Sequence, residues 1–246
     1  MENLKTSFGK SKVSQSQKTK MVQDLFTDIT TKYDLMNNLM SLGTHILWKK
    51  ELIQLMNIQS NDNIIEVGSG TGDIVNLINN NYLATSIVSV DLNLAMLKHG
   101  KEKLKIKSNK VSWVNCNAEN LSFNNNTFDK YIVSFCLRNI TLIDNALKEA
   151  IRVLKPGGIF YCLEFSTPKS SLFNNIYNLY KSKIIPLIGD RVAKNKSAYK
   201  YLGESISEFP NQNVLLSKLN QIGFQNTSLI NLFNGIVCIH RGYKIL

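Results

Sequence analysis

The sequence predicts an α/β fold built on a parallel sheet, and three observations carry that prediction. Short apolar runs alternate with helical patterns through the middle of the chain, a glycine-rich loop follows the first run, and an acid ends the second. The runs are "NIIEVG", "TSIVSVD", "VSWVNC", "KYIVSFCL" and "GIFYCLEFS". Strands buried on both faces by flanking helices read as continuous hydrophobic stretches of this kind.

The flanking elements follow in order. Residues 1–20 are polar, carry five lysines against one Glu and show no hydrophobic period, which predicts a flexible basic arm. A single domain is expected over residues 21–246. Within it Val22, Leu25, Phe26 and Ile29 recur at helical spacing, and after a break around Ser41 to Thr44 a second helix follows, so residues 21–60 read as a helical extension or lid. Past the fifth run, residues 167–210 form a helical insertion with Leu172, Phe173, Ile176, Tyr177, Tyr180, Ile184, Ile185 and Leu187 as its apolar positions. The chain closes with "TSLINLF", a tight "NG" and "IVCIHRGYKI", a terminal β-hairpin.

Composition narrows the function classes. A chain of 246 residues with 43% hydrophobic content can bury a sizeable core, and its net charge of +11 favours phosphates, anionic lipid surfaces or anionic ligands without choosing among them. Cys116, Cys136, Cys162 and Cys238 are far apart and have no His at zinc-ligand spacing, so no metal site and no disulfide framework is expected. With no apolar run near the roughly 20 residues that span a bilayer and no signal-peptide core, a cytoplasmic location is expected. Contact with the inner face of a membrane fits the charge. No "NPPY"-type motif or aromatic platform supports a nucleic-acid partner.

The glycine loop suggests the cofactor. In "IIEVGSGTGDI" the strand ends in Glu66, and Gly68, Gly70 and Gly72 follow at GxGxG spacing, with Asp73 where a dinucleotide fingerprint would carry its third glycine. Acids on both sides suit a cationic, phosphate-free ligand, which points to S-adenosyl-L-methionine; the alternative is a tight turn. Asp91, about 20 residues on, ends the second strand where a carboxylate can accept from both ribose hydroxyls. Asn117 and Ala118, with Glu119, end the third strand where an amide and backbone groups could read an adenine edge.

Two longer motifs are more specific. "YDLMNNLMSLGTHILW" (Tyr33 to Trp48) and "RVLKPGGIFYCLEFS" (Arg152 to Ser166) resemble the two signatures of the ubiquinone/menaquinone biosynthesis C-methyltransferases, the UbiE/MenG family. The likeness runs from about Phe8 to Lys244 and includes "NAENLSF", "SFCLRNIT" and "HRGYK". One departure is Gly68, where many relatives carry Ala or Cys. The resemblance implies a seven-stranded Rossmann-like class I S-adenosylmethionine-dependent methyltransferase fold. It also implies cofactor contacts from Thr71, Asp91, Asn117, Ala118 and Ser134, and methyl transfer to a ring carbon of a polyprenylated quinol. That substrate would be a 2-methoxy-6-polyprenyl-1,4-benzoquinol on the ubiquinone route or a demethylmenaquinol on the menaquinone route. Either a homodimer or a quinone-biosynthesis complex is compatible with it.

Carbon methylation needs electron density on the ring, which rises when a hydroxyl loses its proton. Arg138, at the end of "YIVSFCLRN", cannot ordinarily accept a proton and is expected to stabilise the phenolate or orient a water, with Asn139 holding the ring hydroxyl or the guanidinium. His45 is either the base or a packed, hydrogen-bonded residue. Tyr33 and Asp34 could close over the methionine end of the cofactor, with helix packing as the alternative for Tyr33. The apolar insertion either packs on the sheet or forms a tunnel for the polyprenyl tail. An arylamine, small-molecule or nucleic-acid methyltransferase is the rival enzyme. A non-catalytic scaffold would be expected to lose the Arg138–Asn139 pair, which this chain retains.

Overall fold

The structure, a computed structural model, describes residues 5–82, 85–106, 110–170, 177, 179–180 and 196–245. It opens with a two-stranded antiparallel hairpin, β1 (Lys5–Phe8) and β2 (Ser11–Ser14), turned at Gly9 with φ +56°. Helix α1 (Gln15–Ile29) follows directly. Residues 5–20 therefore form a hairpin and the start of a helix where a flexible arm was expected for residues 1–20; residues 1–4 lie outside the described residues. Ser14 and Gln17 form a capping box that starts the helix before Met21, each side chain bonding the other's backbone N–H. Phe8 stacks on Tyr201 with ring centroids 4.3 Å apart, and Lys18 is buried with Nζ donating to the Ile140 carbonyl at 2.8 Å. Polar composition concealed a few well-placed anchors.

A short 3-10 turn leads into α2 (Tyr33–Ser41), which stops where Leu42 and Gly43 take left-handed backbone angles. Helix α3 (Thr44–Leu55) then runs to the sheet, so the break predicted between Ser41 and Thr44 is where the chain turns. The sheet elements alternate as β3 (Asn63–Val67), α4 (Asp73–Asn81), β4 (Ser86–Asp91), α5 (Leu94–Leu104), β5 (Val111–Asn115), β6 (Phe128–Ser134), α6 (Ile143–Val153) and β7 (Leu154–Phe165). Helices α7 (Lys196–Glu208) and α8 (Gln212–Ile222) precede the terminal hairpin of β8 (Gln225–Leu232) and β9 (Val237–Tyr243). Of the insertion's apolar positions, Tyr177 and Tyr180 are described; Leu172, Phe173, Ile176, Ile184, Ile185 and Leu187 lie outside the described residues.

Seven strands form one sheet in the order β5-β4-β3-β6-β7-β9-β8, parallel except for β9, which runs antiparallel to both neighbours. One face carries α6 and α8 over a core that includes Tyr131, Phe160, Leu215 and Phe224. The other carries α3 and α4 over a core of Leu52, Met56, Ile64 and Ile78. A third cluster joins α1 and α2 to α7 through Ile29, Met36, Tyr199 and Leu202. Chain order reverses direction across the sheet between β3 and β6. The carboxyl ends of strands flanking such a switch point leave a crevice for a ligand.

Candidate active site

Two cavities meet at that crevice. The smaller, about 100 Å³, is lined by Gly70, Asp91, Asn117 and Ala118 and roofed by Thr19 and Val22 of α1. The larger, about 440 Å³, is mainly apolar and lies between the sheet and α1, α2, α3 and α7. Gly68, Phe26, Tyr33 and Phe135 line both, so the cavities join over the glycine loop and under Tyr33.

Four of the loop's amides are committed within the protein. Gly68 and Ser69 N–H donate to the Val90 carbonyl at 2.8 and 3.0 Å, Gly72 N–H to Ser69 at 2.9 Å, and Gly70 N–H to Asp91 Oδ2 at 2.8 Å. A loop with these amides occupied is a poor phosphate cradle, in keeping with a phosphate-free ligand. Gly68 has φ +70°, and a Cβ there would stand 2.0 Å from Cys136 Sγ. Any side chain at this position would therefore collide in this chain unless Cys136 gave way.

Asp91 is held by two amides, Gly70 on Oδ2 and Asn93 on Oδ1, both at 2.8 Å. Burial pushes its carboxyl up, while those hydrogen bonds pull it down. Its remaining lone pairs can accept from a diol. Asn117 turns its Oδ1 to the Glu119 amide at 2.9 Å, and Glu119 in turn accepts the Thr141 and Leu142 amides at 3.0 Å, fixing the wall opposite Asp91.

On the other side, Thr71 Oγ1 donates to Asp34 Oδ1 at 2.7 Å, tying α2 to the glycine loop. Lys103 bridges Asp34 and Asp73 at 2.7 and 3.4 Å, and Lys49 reaches Asp73 at 2.7 Å. Burial alone would raise the Asp73 carboxyl; Lys49 and then Lys103 hold it below its ordinary value. Glu66 lies beneath, almost fully buried, with Oε2 lacking a partner. Burial lifts it to about 8, against the pull of Lys49. Ser134 Oγ is likewise buried without a partner and belongs to the larger cavity. A cationic ligand end with its own donors fits this set: an orphan carboxyl oxygen on Glu66, an orphan hydroxyl on Ser134 and the acid Asp73 close by.

Arg138 also lines the larger cavity. Its Nη1 donates to Glu164 Oε1 at 2.8 Å and to the Phe135 carbonyl at 2.6 Å; the guanidinium lies 5.4 Å from the Phe165 ring centre, and Nε has no partner. Burial disfavours the charge, but Glu164 together with Tyr201 and Tyr33 more than offsets it, so the guanidinium stays cationic. Glu164 accepts from Arg138 and from the Phe165 amide, as a carboxylate would. Sequence reasoning missed Glu164, although it stands in the second long motif. An acid at the end of one strand and an Arg just past the end of its neighbour were the available signal. Asn139 departs from expectation. Its Oδ1 accepts from Tyr201 Oη at 3.0 Å and it lines the smaller cavity, because the 3-10 turn over Leu137–Asn139 sends neighbouring side chains to different cavities.

Tyr33 covers the junction, its ring 3.6 Å from where a Cβ on Gly70 would lie, and burial pushes its hydroxyl up to about 12. His45 is buried on the wall of the larger cavity, with Nδ1 2.7 Å from Ser41 Oγ. Among the described residues no three His, Cys, Asp or Glu side chains converge as metal ligands, and no helix is long and apolar enough to cross a membrane.

The chain is 41% identical over 242 residues to the ubiquinone/menaquinone biosynthesis C-methyltransferase UbiE of Zymomonas mobilis, covering 98% of this chain and 99% of that one. It is 44% identical over 248 residues to the UbiE of Rickettsia typhi, covering 98% and 99%. Among solved structures, a SAM-dependent methyltransferase from Thermotoga maritima superposes with a TM-score of 0.65 at 18% identity, covering 90% of this chain and 99% of that one, which identifies the fold as that of class I methyltransferases. The sequence profile of the ubiE/COQ5 methyltransferase family matches residues 12–244, and the chain belongs to that family of S-adenosylmethionine-dependent methyltransferases.

Proposed function

We propose that this chain methylates a ring carbon of a polyprenylated quinol, a 2-methoxy-6-polyprenyl-1,4-benzoquinol, a demethylmenaquinol or both, with S-adenosyl-L-methionine as donor. The observation that carries the reading is the meeting, over Gly68, of a small cavity lined by Asp91 and Asn117 and a large apolar one. Asp91 would take the ribose diol, Asn117 and Ala118 the adenine, and Gly68, Gly70, Thr71 and Ser134 the methionine end, beside the orphan oxygen of Glu66. Bound there, the cofactor supplies an electrophilic methyl group.

The chain's own residues prepare the acceptor. Arg138, held by Glu164 and the Phe135 carbonyl, presents a fixed cation to the ring oxygen as negative charge develops. Pairing with Glu164 leaves little net charge, so the geometry of the N–H donors matters more than long-range attraction. Tyr33 closes the junction, excluding water from the transfer. The apolar wall, including Tyr177, Tyr180 and Ile206, accommodates the first part of the prenyl tail.

Peripheral membrane contact is part of the same reading. Leu42 and Phe233 line the larger cavity yet are 78% and 62% exposed, which suits a mouth through which a lipid substrate enters, and the net charge of +11 favours the anionic inner face of a membrane. Quinone profiling by mass spectrometry in a deletion strain tests the function. Build-up of the demethylated benzoquinol or of demethylmenaquinone is the expected result and assigns the route; build-up of neither removes the proposal.

A further inference from the structure

His45 sits at the start of α3 and its surroundings determine which ring nitrogen carries the proton. Ser41 Oγ has three neighbours: the Asn37 carbonyl at 2.7 Å, the His45 backbone N–H at 3.3 Å and His45 Nδ1 at 2.7 Å. A hydroxyl has one proton and two acceptor sites. The carbonyl can only accept, so Ser41 donates its proton there. The His45 amide can only donate, and it takes one acceptor site. The remaining contact requires that Nδ1 also donate, so Nδ1 carries the hydrogen and the neutral ring keeps its lone pair on Nε2. With Nδ1 turned to α2, Nε2 is the polar atom this ring offers to the larger cavity that it lines.

We infer that His45 is the general base that takes the ring-hydroxyl proton, and that Ser41 is the positioning residue that holds it in the Nδ1–H tautomer. The inference rests on a quinol being the acceptor in this cavity. The other titratable groups on the wall are unsuited to the task. Lys49 and Asp73 are paired with each other and Asp73 also with Lys103, Arg138 is paired with Glu164, and burial keeps Glu66 and the tyrosines Tyr33, Tyr177, Tyr180 and Tyr201 protonated in the neutral range or above. Burial, and then Lys49 on the same helix, lower His45 against the pull of Asp73 on α4 and Asp34 on α2, so the imidazole is neutral near pH 7.

In the step itself, the hydroxyl O–H bond breaks and its proton moves to Nε2, while the electron pair enters the ring. The ring carbon forms the bond to the methyl group, and the pair of the broken C–S bond stays on sulfur. That carbon's hydrogen then leaves as a proton and the imidazolium returns its own to the ring oxygen. One proton is released per methyl transferred.

The test combines ring-nitrogen NMR on the 15N-histidine-labelled full chain with pH–rate profiles. The expected results are a protonated Nδ1 and bare Nε2 for His45, and an acidic limb in kcat with a midpoint below 6.5 in the wild type. His45→Gln should lose kcat by about 100- to 10,000-fold and lose that limb, with cofactor affinity unchanged by calorimetry. Ser41→Ala should mix the tautomers and lower kcat while sparing cofactor affinity, and Ser41→Thr should restore both. A hydrogen on Nε2, or an acidic limb that survives His45→Gln, overturns the assignment. The NMR result decides even if a substituted chain fails to fold. Absence of quinol methylation in the wild type refutes the acceptor instead, and is told apart by an unaltered tautomer.

Discussion

The two cavities are built by opposite means. The smaller one is framed by strand ends and backbone: β3 delivers the glycine loop, β4 delivers Asp91, and main-chain amides of Gly70 and Asn93 hold that carboxylate. The larger one is framed by side chains from α1, α2, α3 and α7 and from the turn after β6, which come together only when the helices pack. Recognition of a constant cofactor can rest on rigid sheet geometry, whereas a greasy substrate of variable length needs a wall that repacking can reshape.

The contrast can be tested most severely at Arg138. Arg138→Ala should cut turnover by about 100- to 1,000-fold while leaving cofactor binding intact, as expected for a group that meets only the developing charge. It should also destabilise the protein by about 3–5 kcal/mol, because Glu164 is left buried and uncompensated. Adding Glu164→Gln should recover most of the stability in denaturant titrations and none of the turnover. Recovery of both would mean that the pair serves only the fold.

Glu66, beneath the junction, predicts a pH effect. Its carboxyl is raised from 4.5 to about 8 in the folded chain, so between those values the native state keeps a proton that the unfolded state has lost. The stability it contributes is full below 4.5 and falls by about 1.4 kcal/mol per pH unit as pH rises toward 8. Glu66→Gln should flatten that slope in the absence of cofactor; an unchanged slope would show that the carboxyl is ionised throughout.

A smaller effect is expected at Asp91. Replacing it with Asn should weaken S-adenosylmethionine binding by about 1.5–3 kcal/mol, roughly 10- to 150-fold, through loss of charge-assisted hydrogen bonds, with the quinol KM little altered. The mildest effect should come from the apolar wall. Ile206→Trp should raise KM by about 10-fold for long-tailed quinols and much less for short-tailed ones. Equal effects on both would locate the tail elsewhere.

The same division governed what could be read in advance. That the glycine loop, Asp91 and the Asn117–Ala118 pair gather around one cavity was legible because each follows its strand directly, and strand ends on one side of a parallel sheet converge by topology. Arg138 was legible by the same rule, and its partner Glu164 was not, since pairing between β6 and β7 depends on register. Asn139 lines a different cavity from the one Ser134 lines because the chain leaves the strand after Ser134 and turns through Leu137–Asn139, so strand alternation no longer fixes where its side chain goes. The N-terminal segment was misread because Phe8 and Lys18 find partners about 190 and 120 residues away, beyond any local pattern.

By itself the amino-acid sequence determined the alternation of strands and helices, the cofactor loop and the family signatures, since all of these depend on residues close together along the chain. Only the tertiary structure decided that residues 5–20 fold back as a hairpin and the start of a helix, that Arg138 is paired with Glu164, and that Ser41 meets Nδ1 of His45. Those outcomes rest on burial and on hydrogen-bond geometry between separate elements, where a buried donor or acceptor must find its partner or lose the stability of the whole arrangement.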